Sequence, residues 1–200
     1  MKTWSIAPLF VQPIASTEID KNVCEKIKEF SEDQFWFADD RSIAYGNATS
    51  KDMQILNKHS EVRSYLKEVA DDLIVQLGYD CDTQITTSWL SKVKSGGEIP
   101  GKSIYNSWYT SIVFFDEYDE KCGDTEFYVD PQGIHVVPDE WNHWTAPFIS
   151  LTPAPAHMMM FPSYVKHRVL RNETEDDRIC LMFNIMPKGL TGSSESTYFY

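Results

Sequence analysis

Two residues toward the C-terminal end of this 200-residue chain have types and spacing that could do chemistry together. His167 and Arg178 stand eleven positions apart in FPSYVKHRVLRNETEDDRICLMFNI, residues 161–185. A Pro-Ser turn leads into a strand carrying His167, a polar hairpin runs from Asn172 to Asp177, and Arg178 opens a strongly apolar strand. If the two strands pair through that hairpin, both side chains point into one barrel mouth. The imidazole would then be a metal ligand and the guanidinium a bidentate carboxylate clamp. A His and an Arg in a β-hairpin also serve as ordinary packing residues, so spacing alone leaves both roles open.

The elements that must position this pair come in two blocks. Residues Ser16 to Phe30 place Ile19, Val23, Ile27 and Phe30 at helical spacing, with Ser16 or Thr17 as the cap. A stronger helix is expected from Ser60 to Leu77, with Val62, Leu66, Val69, Leu73 and Leu77 along one side and Gly78 as its stop. Ser31 to Asn57 reads as loop-rich, with a short helix near Met53. From Thr83 onward the pattern becomes short β-branched or aromatic runs: QITTSWLSKV, TSIVFFD, TEFYV, IHVV, HMMMF and RICLMFNIM, separated by Gly, Pro and Asp turns. Helices followed by many strands predict an α+β, mainly β layout in which helices buttress a β-sandwich or barrel. The expected organisation is a single domain, 1–200, with an N-terminal strand and helical buttress at 1–80, a β core at 81–188 and a tail at 189–200.

Composition narrows the function. With 42% hydrophobic and 14% aromatic residues, disorder of the whole chain is excluded. A formal net charge of −12 repels phosphate backbones and anionic membrane surfaces, so neither nucleic acid nor membrane is an expected partner. A small anion remains admissible, because one Arg in a pocket is decided locally. The four cysteines, Cys24, Cys81, Cys122 and Cys180, are widely spread with no Cys-x-x-Cys pair, which predicts free thiols and no structural zinc. Pro8, Gln12 and Pro13 interrupt any signal-like apolar run near the start, and a cytoplasmic location, in a bacterial cell or a phage-infected host, is the expectation.

Four ordered stretches resemble a known family. LFVQPI near the N-terminus, ITTSWLSKVKSGGEIP, NSWYTSIVFF and the run from Phe161 through Arg178 to Asn184 are similar to successive motifs of the 2-oxoglutarate and Fe(II)-dependent oxygenases of marine bacteria and cyanophages. The resemblance covers most of the chain. It implies a double-stranded β-helix, or jelly roll, with N-terminal helices outside it. It also implies hydroxylase-type chemistry with Fe(II) and 2-oxoglutarate as cofactors if the chain is active, and none if it is not. On this resemblance His167 is the distal histidine of the metal triad, Arg178 pairs with the far carboxylate of 2-oxoglutarate, and Asn106 and Ser107 contact the same cosubstrate or, equally, cap a strand.

The chain departs from the family where the proximal metal ligands are expected. Lys102, Ser103, Ile104 and Tyr105 occupy that place, and no histidine lies between His59 and His135. An ammonium has no lone pair to offer, and isoleucine cannot coordinate. Glu98, His135, His143 and His157 are the candidates that could complete a site, each with a plainer reading as a turn, strand or loop residue. Trp89, Trp108, Trp141 and Trp144 could line a substrate mouth but fit a core as well. Met158, Met159 and Met160 in one strand should bury two and expose one. Asp119, Glu120 and the acidic 173–177 hairpin read as solvated turns. Three classes of function stay open: an oxygenase acting on a small-molecule or protein substrate, a noncatalytic jelly-roll module binding a small anion or a protein partner, and a phage structural protein. Homo-oligomer formation is compatible with each.

Overall fold

The computed structural model describes residues 11–129, 137–142 and 145–199. In chain order the elements are β1 (Ala15–Glu18), α1 (Lys21–Glu32), β2 (Trp36–Phe37), α2 (Asp40–Ala44), β3 (Asn47–Ser50), a 3-10 turn (Ile55–Lys58) and α3 (Ser60–Gln76). Then follow β4 (Thr83–Val93), β5 (Ile99–Lys102), β6 (Tyr109–Phe114), β7 (Thr125–Tyr128), β8 (Phe148–Leu151), β9 (His157–Pro162), β10 (His167–Val169), β11 (Arg178–Pro187), β12 (Leu190–Thr191) and β13 (Tyr198–Phe199). A seven-stranded sheet in the order β1-β9-β6-β11-β4-β3-β2 faces a four-stranded sheet in the order β5-β10-β7-β8, and β12 and β13 form a separate small hairpin. From β9 to β11 the chain passes from one main sheet to the other and back, as in a jelly roll; the architecture is α+β and mainly β, as expected.

The first helix begins later than its apolar spacing suggests. Asp20 caps it by accepting from the Asn22 N–H at 2.8 Å, and the residues before it, Ala15–Glu18, instead pair with β9 as an edge strand. Ile19 bridges the two elements, its N–H donating to the Ala156 carbonyl at 2.8 Å. α3 keeps the expected limits to within a residue, with Gly78 at φ +87 just beyond it, where a left-handed backbone favours glycine. The segment expected as loop between the helices also supplies β2 and β3, which extend the large sheet past β4. The N-terminal part of the chain therefore contributes sheet edge as well as helical cover.

The large sheet is buried on both faces. One face packs against α1 and α3 through a cluster that includes Ile27, Leu66, Ile74, Val113, Met160, Leu181, Phe183 and Ile185. The other packs against the small sheet through Trp89, Ile112, Phe114, Phe127, Met159, Phe161, Val165, Cys180 and Met182. This corrects the methionine expectation: Met158, Met159 and Met160 are all buried, because β9 has no solvent face. Among the described residues no helix is long and apolar enough to cross a membrane, and the four cysteines are free thiols.

Candidate ligand site between the sheets

His167 and Arg178 do not share a hairpin. β10 pairs with β5 and β7, and β11 pairs with β4 and β6, so the two residues start from opposite sheets. The acidic connection between them crosses from sheet to sheet because Asn172 holds it down: its Nδ2 donates to the Val93 and Asp176 carbonyls at 3.2 and 2.8 Å, and its Oδ1 accepts from Thr174. Both side chains are nevertheless interior, each residue only 2% exposed. Alternation explains why. In β10 His167 and Val169 point inward while Arg168 points out, and in β11 Arg178, Cys180 and Met182 share the inter-sheet face.

The His167 ring packs edge-on against Phe161, with centroids 4.9 Å apart, and leans on Phe127. Its Nδ1 lies 3.1 Å from the Val165 carbonyl oxygen. A carbonyl only accepts, so this contact assigns the proton to Nδ1 and leaves Nε2 as a lone pair. Nε2 is buried with no hydrogen-bond partner. Burial pushes the imidazole pKa down to about 4; nearby Lys102 adds to the shift and the Val165 carbonyl opposes it. The ring is neutral at physiological pH.

Lys102 is the cross-strand neighbour of His167, and a bulge puts it there. Val169 pairs with Ile99 but His167 pairs with Lys102, so two steps on β10 match three on β5. Gly101 within the bulge lies under the Tyr128 hydroxyl, where any Cβ would collide. Lys102 is part-buried, and its ammonium has no hydrogen-bond or ion-pair partner among the described residues. Burial holds its pKa below the usual lysine range. Ile104 packs against the inter-sheet cluster, with its N–H donating to the Ser163 carbonyl at 2.9 Å.

Arg178 crosses the gap between sheets: its Nη2 donates to Thr125 Oγ1 of β7 at 3.0 Å, and the guanidinium carbon sits 5.5 Å from the Phe114 ring centroid. Its Nε is buried without a partner, and among the described residues no carboxylate forms a salt bridge with it. Cys180, fully buried two residues along the same face, interacts with both Arg178 and Lys102; burial raises its thiol pKa while the two cations oppose that rise. Cys122 also lies against Arg178. The contrast with the outer face of the small sheet is direct. There buried Glu126 accepts from Arg168 Nε at 2.7 Å, and Arg168 lies over the Tyr128 ring. Among the described residues, the cation outside has a carboxylate partner and the two inside have none.

The remaining sequence candidates sit apart from this centre. Asn106 is exposed at φ +55, a left-handed position asparagine tolerates. Ser107 turns inward and closes a polar row that residue spacing did not disclose. Asn184 Nδ2 donates to Thr87 at 2.8 Å, Thr110 donates to Asn184 Oδ1 at 2.8 Å, Thr110 and Ser163 hydroxyls are 2.8 Å apart, and Ser163 reaches Ser107 at 2.9 Å. The signal was present as lone polar residues within apolar strands. Glu98 is part-buried in the turn before β5, where its N–H donates to the Tyr45 carbonyl at 2.8 Å. His157 opens β9 with its Nδ1 2.9 Å from the Pro155 carbonyl; it lies about 13 Å along the strand from Phe161, the partner of the His167 ring. Trp89 belongs to the inter-sheet cluster, Trp108 stacks edge-on to Tyr79 and Tyr109, and Trp141 is exposed. His135, His143 and Trp144 lie outside the described residues.

A non-haem iron centre needs about three imidazole or carboxylate donors on one side of the metal. The described residues offer the His167 Nε2 lone pair, but no group of three His, Cys, Asp or Glu side chains able to hold a metal. The nearest cross-strand position holds an ammonium, which repels a dication. The described residues therefore do not fit Fe(II).

Residues 87–184 match a protein family described as "Putative 2OG-Fe(II) oxygenase", a span from β4 to β11 that includes Lys102, His167 and Arg178. Solved structures share the fold. HygX from Streptomyces hygroscopicus, determined with nickel and 2-oxoglutarate bound, superposes with a TM-score of 0.60 at 10% identity, covering 88% of this chain and 83% of that one. A Pseudomonas putida prolyl-4-hydroxylase gives 0.58 at 10% identity over 87% and 92%. AviO1 from Streptomyces viridochromogenes Tue57 gives 0.60 at 12% identity over 94% and 92%. A comparison with curated proteins returns no match. The chain carries a 2OG-Fe(II) oxygenase-type jelly roll, and the match over its core supports that family.

Proposed function

We propose that this protein binds 2-oxoglutarate, or a closely related oxo-dicarboxylate, between its two sheets, with Arg178 as the carboxylate clamp and Lys102 as the second cation. The single observation that carries the reading is a pair of cations with no carboxylate partner among the described residues: the buried guanidinium of Arg178 and the part-buried ammonium of Lys102, both in electrostatic contact with Cys180. Removing charge from water costs several kcal/mol unless an opposite charge compensates it. A dianion of the right length would compensate both. The free Arg178 Nε and the guanidinium fork suit a carboxylate geometrically. The family resemblance supports the same ligand class, although Asn106 and Ser107, its other expected cosubstrate contacts, sit apart from the two cations.

A hydroxylase acting on a small-molecule or protein substrate is the finer reading that the fold suggests. It would require Fe(II) at His167 and donors from outside the described residues, for which His135 and His143 are the sequence candidates. Calorimetry with 2-oxoglutarate in the presence of a chelator separates the layers. Wild type is expected to give heat that Arg178→Ala removes and Arg178→Lys weakens; equal heats in all three proteins would end the proposal. Anaerobic loading with Fe(II) followed by succinate release, abolished by His167→Ala, would add the oxygenase step to the binding step.

A further inference from the structure

We propose that the free edge of β1, with the groove beside it, receives an extended peptide segment carrying lysine or arginine at alternate positions, as an added strand. β1 ends the order of the large sheet, so one side of its backbone has no strand partner. Antiparallel bonding engages alternate residues of a strand. The Ile19 N–H donates to the Ala156 carbonyl at 2.8 Å, and in the same register Thr17 and Ala15 bond to β9. The N–H and C=O groups of Ser16 and Glu18 therefore point to the open side. Ser16, Thr17 and Glu18 are all exposed, and the Glu18 carbonyl meets the Thr17 hydroxyl at 3.5 Å, the long limit of a hydrogen bond.

Helix α3 turns this edge into a groove of about 590 Å³. The Tyr65 hydroxyl accepts from the Asp20 N–H at 2.9 Å, which pins the helix beside the end of β1. Val69, Leu73, Met158 and Met160 give the groove apolar walls, and the exposed carboxylates Glu18, Glu68 and Asp72 also line it. Among the described residues no lysine or arginine lines it, and none of the three carboxylates has an ion-pair partner; Asp72 accepts from the neutral Gln76 amide at 2.8 Å. Glu68 and Asp72 stand four residues apart on the helix, about 6 Å, and alternate side chains of an extended strand recur at about 6.8 Å. Two basic side chains of an added strand can thus meet one carboxylate each, while its main chain bonds to Ser16 and Glu18. A second copy of this chain is a poor occupant, because pairing β1 with β1 brings the same carboxylates together in a chain of net charge −12.

A capped peptide of alternating lysine and valine tests the proposal on the whole protein. Calorimetry is expected to show binding, and hydrogen exchange is expected to show the Ser16 and Glu18 amides becoming protected only when the peptide is present. Glu68→Gln combined with Asp72→Asn, both at exposed positions, should weaken binding about tenfold. Ser16→Pro, which removes an edge N–H and no bond to β9, should weaken it while the melting temperature is kept. Two altered peptides of the same charge leave the protein untouched: one with every backbone nitrogen methylated, and one with its lysines gathered at one end. Each should bind about tenfold more weakly or worse. Equal binding of all three peptides, or no protection at Ser16 and Glu18, would overturn the proposal by reducing the attraction to general charge. Protection that rises with protein concentration alone would assign the edge to a second copy of the chain and overturn it as well.

Discussion

Alternate residues of β11 serve two different interiors. Leu181, Phe183 and Ile185 face α1 and α3 in an aliphatic and aromatic cluster, whereas Arg178, Cys180, Met182 and Asn184 face the small sheet. Polar exceptions on the helix side are small: the Ser111 hydroxyl, and one nitrogen of Arg63 whose other nitrogen donates to the Ile85 carbonyl at 2.9 Å. The inter-sheet side instead gathers an imidazole, an ammonium, a guanidinium and a thiol, with His167 Nε2 and Arg178 Nε left unbonded. The same strand thus provides adhesion on one side and uncompensated polar groups on the other; under the proposed function, an oxo-dicarboxylate bound there would restore stability that those groups cost.

The sharpest way to break this contrast is to convert the inner face into a metal site. Lys102→His combined with Ile104→Asp would place an imidazole and a carboxylate opposite His167. The double variant is expected to take up one equivalent of Ni(II) or Co(II) with a micromolar dissociation constant, about 8 kcal/mol of binding. Titration followed by absorbance should show the uptake, and adding His167→Ala should remove it. Wild type binding the metal equally well, with the same dependence on His167, would mean that the ammonium does not keep metal out.

On the helix side, Phe183→Ala removes a fully buried ring from the cluster beneath α1 and α3. The expected cost is about 3–5 kcal/mol in denaturant unfolding, with oxo-acid binding retained in whatever fraction remains folded. Loss of binding in the folded fraction would show that the two faces are coupled through β11 and do not work independently.

Much of this division was legible in the residue pattern, and its limits are physical. Helical spacing from Val62 to Leu73 located α3, and alternation through RICLMFNIM located β11, because each element buries a face whose period is local. The start of α1 was misplaced because the partner of Ala15–Glu18 is β9, about 140 residues away, and no local spacing reports that pairing. His167 and Arg178 stood out by type, yet their expected hairpin was wrong: a short polar connection can return to the same sheet or cross to the opposite one, and Asn172 decides between them through bonds to distant backbone. Lys102 was visible only as an intruder among expected ligands. Its register with His167 depends on a bulge that a one-dimensional pattern does not carry.

Acid should expose the cost of the inner face. The unfolded chain protonates a histidine near 6.5, whereas burial holds folded His167 down to about 4. Between those values the unfolded state binds more protons, so stability rises with pH through the window and is lost as pH falls from about 6.5 to about 4. The gap corresponds to roughly 3 kcal/mol. Urea unfolding of wild type and His167→Gln at several pH values should show that difference shrinking as the buffer is acidified. A constant difference across the window would mean that the ring reaches solvent or an anionic partner in the folded chain.

The smallest expected effect carries the opposite sign. Arg178→Met keeps much of the side-chain volume and removes a guanidinium that no carboxylate compensates, leaving the Thr125 hydroxyl to find another partner. Replacing buried charge by an apolar group of similar size is neutral or stabilising, and here a gain of about 1–2 kcal/mol is expected in ligand-free protein. Adding 2-oxoglutarate should reverse the ranking, because wild type gains stability from a ligand that the variant cannot clamp. A variant that is instead several kcal/mol less stable without ligand would show that the folded chain already neutralises Arg178, with the neighbouring Cys122 and Cys180 thiols as the groups close enough to do it. The inner face would then be a finished core like the outer one, and its cations would not be waiting for an anion.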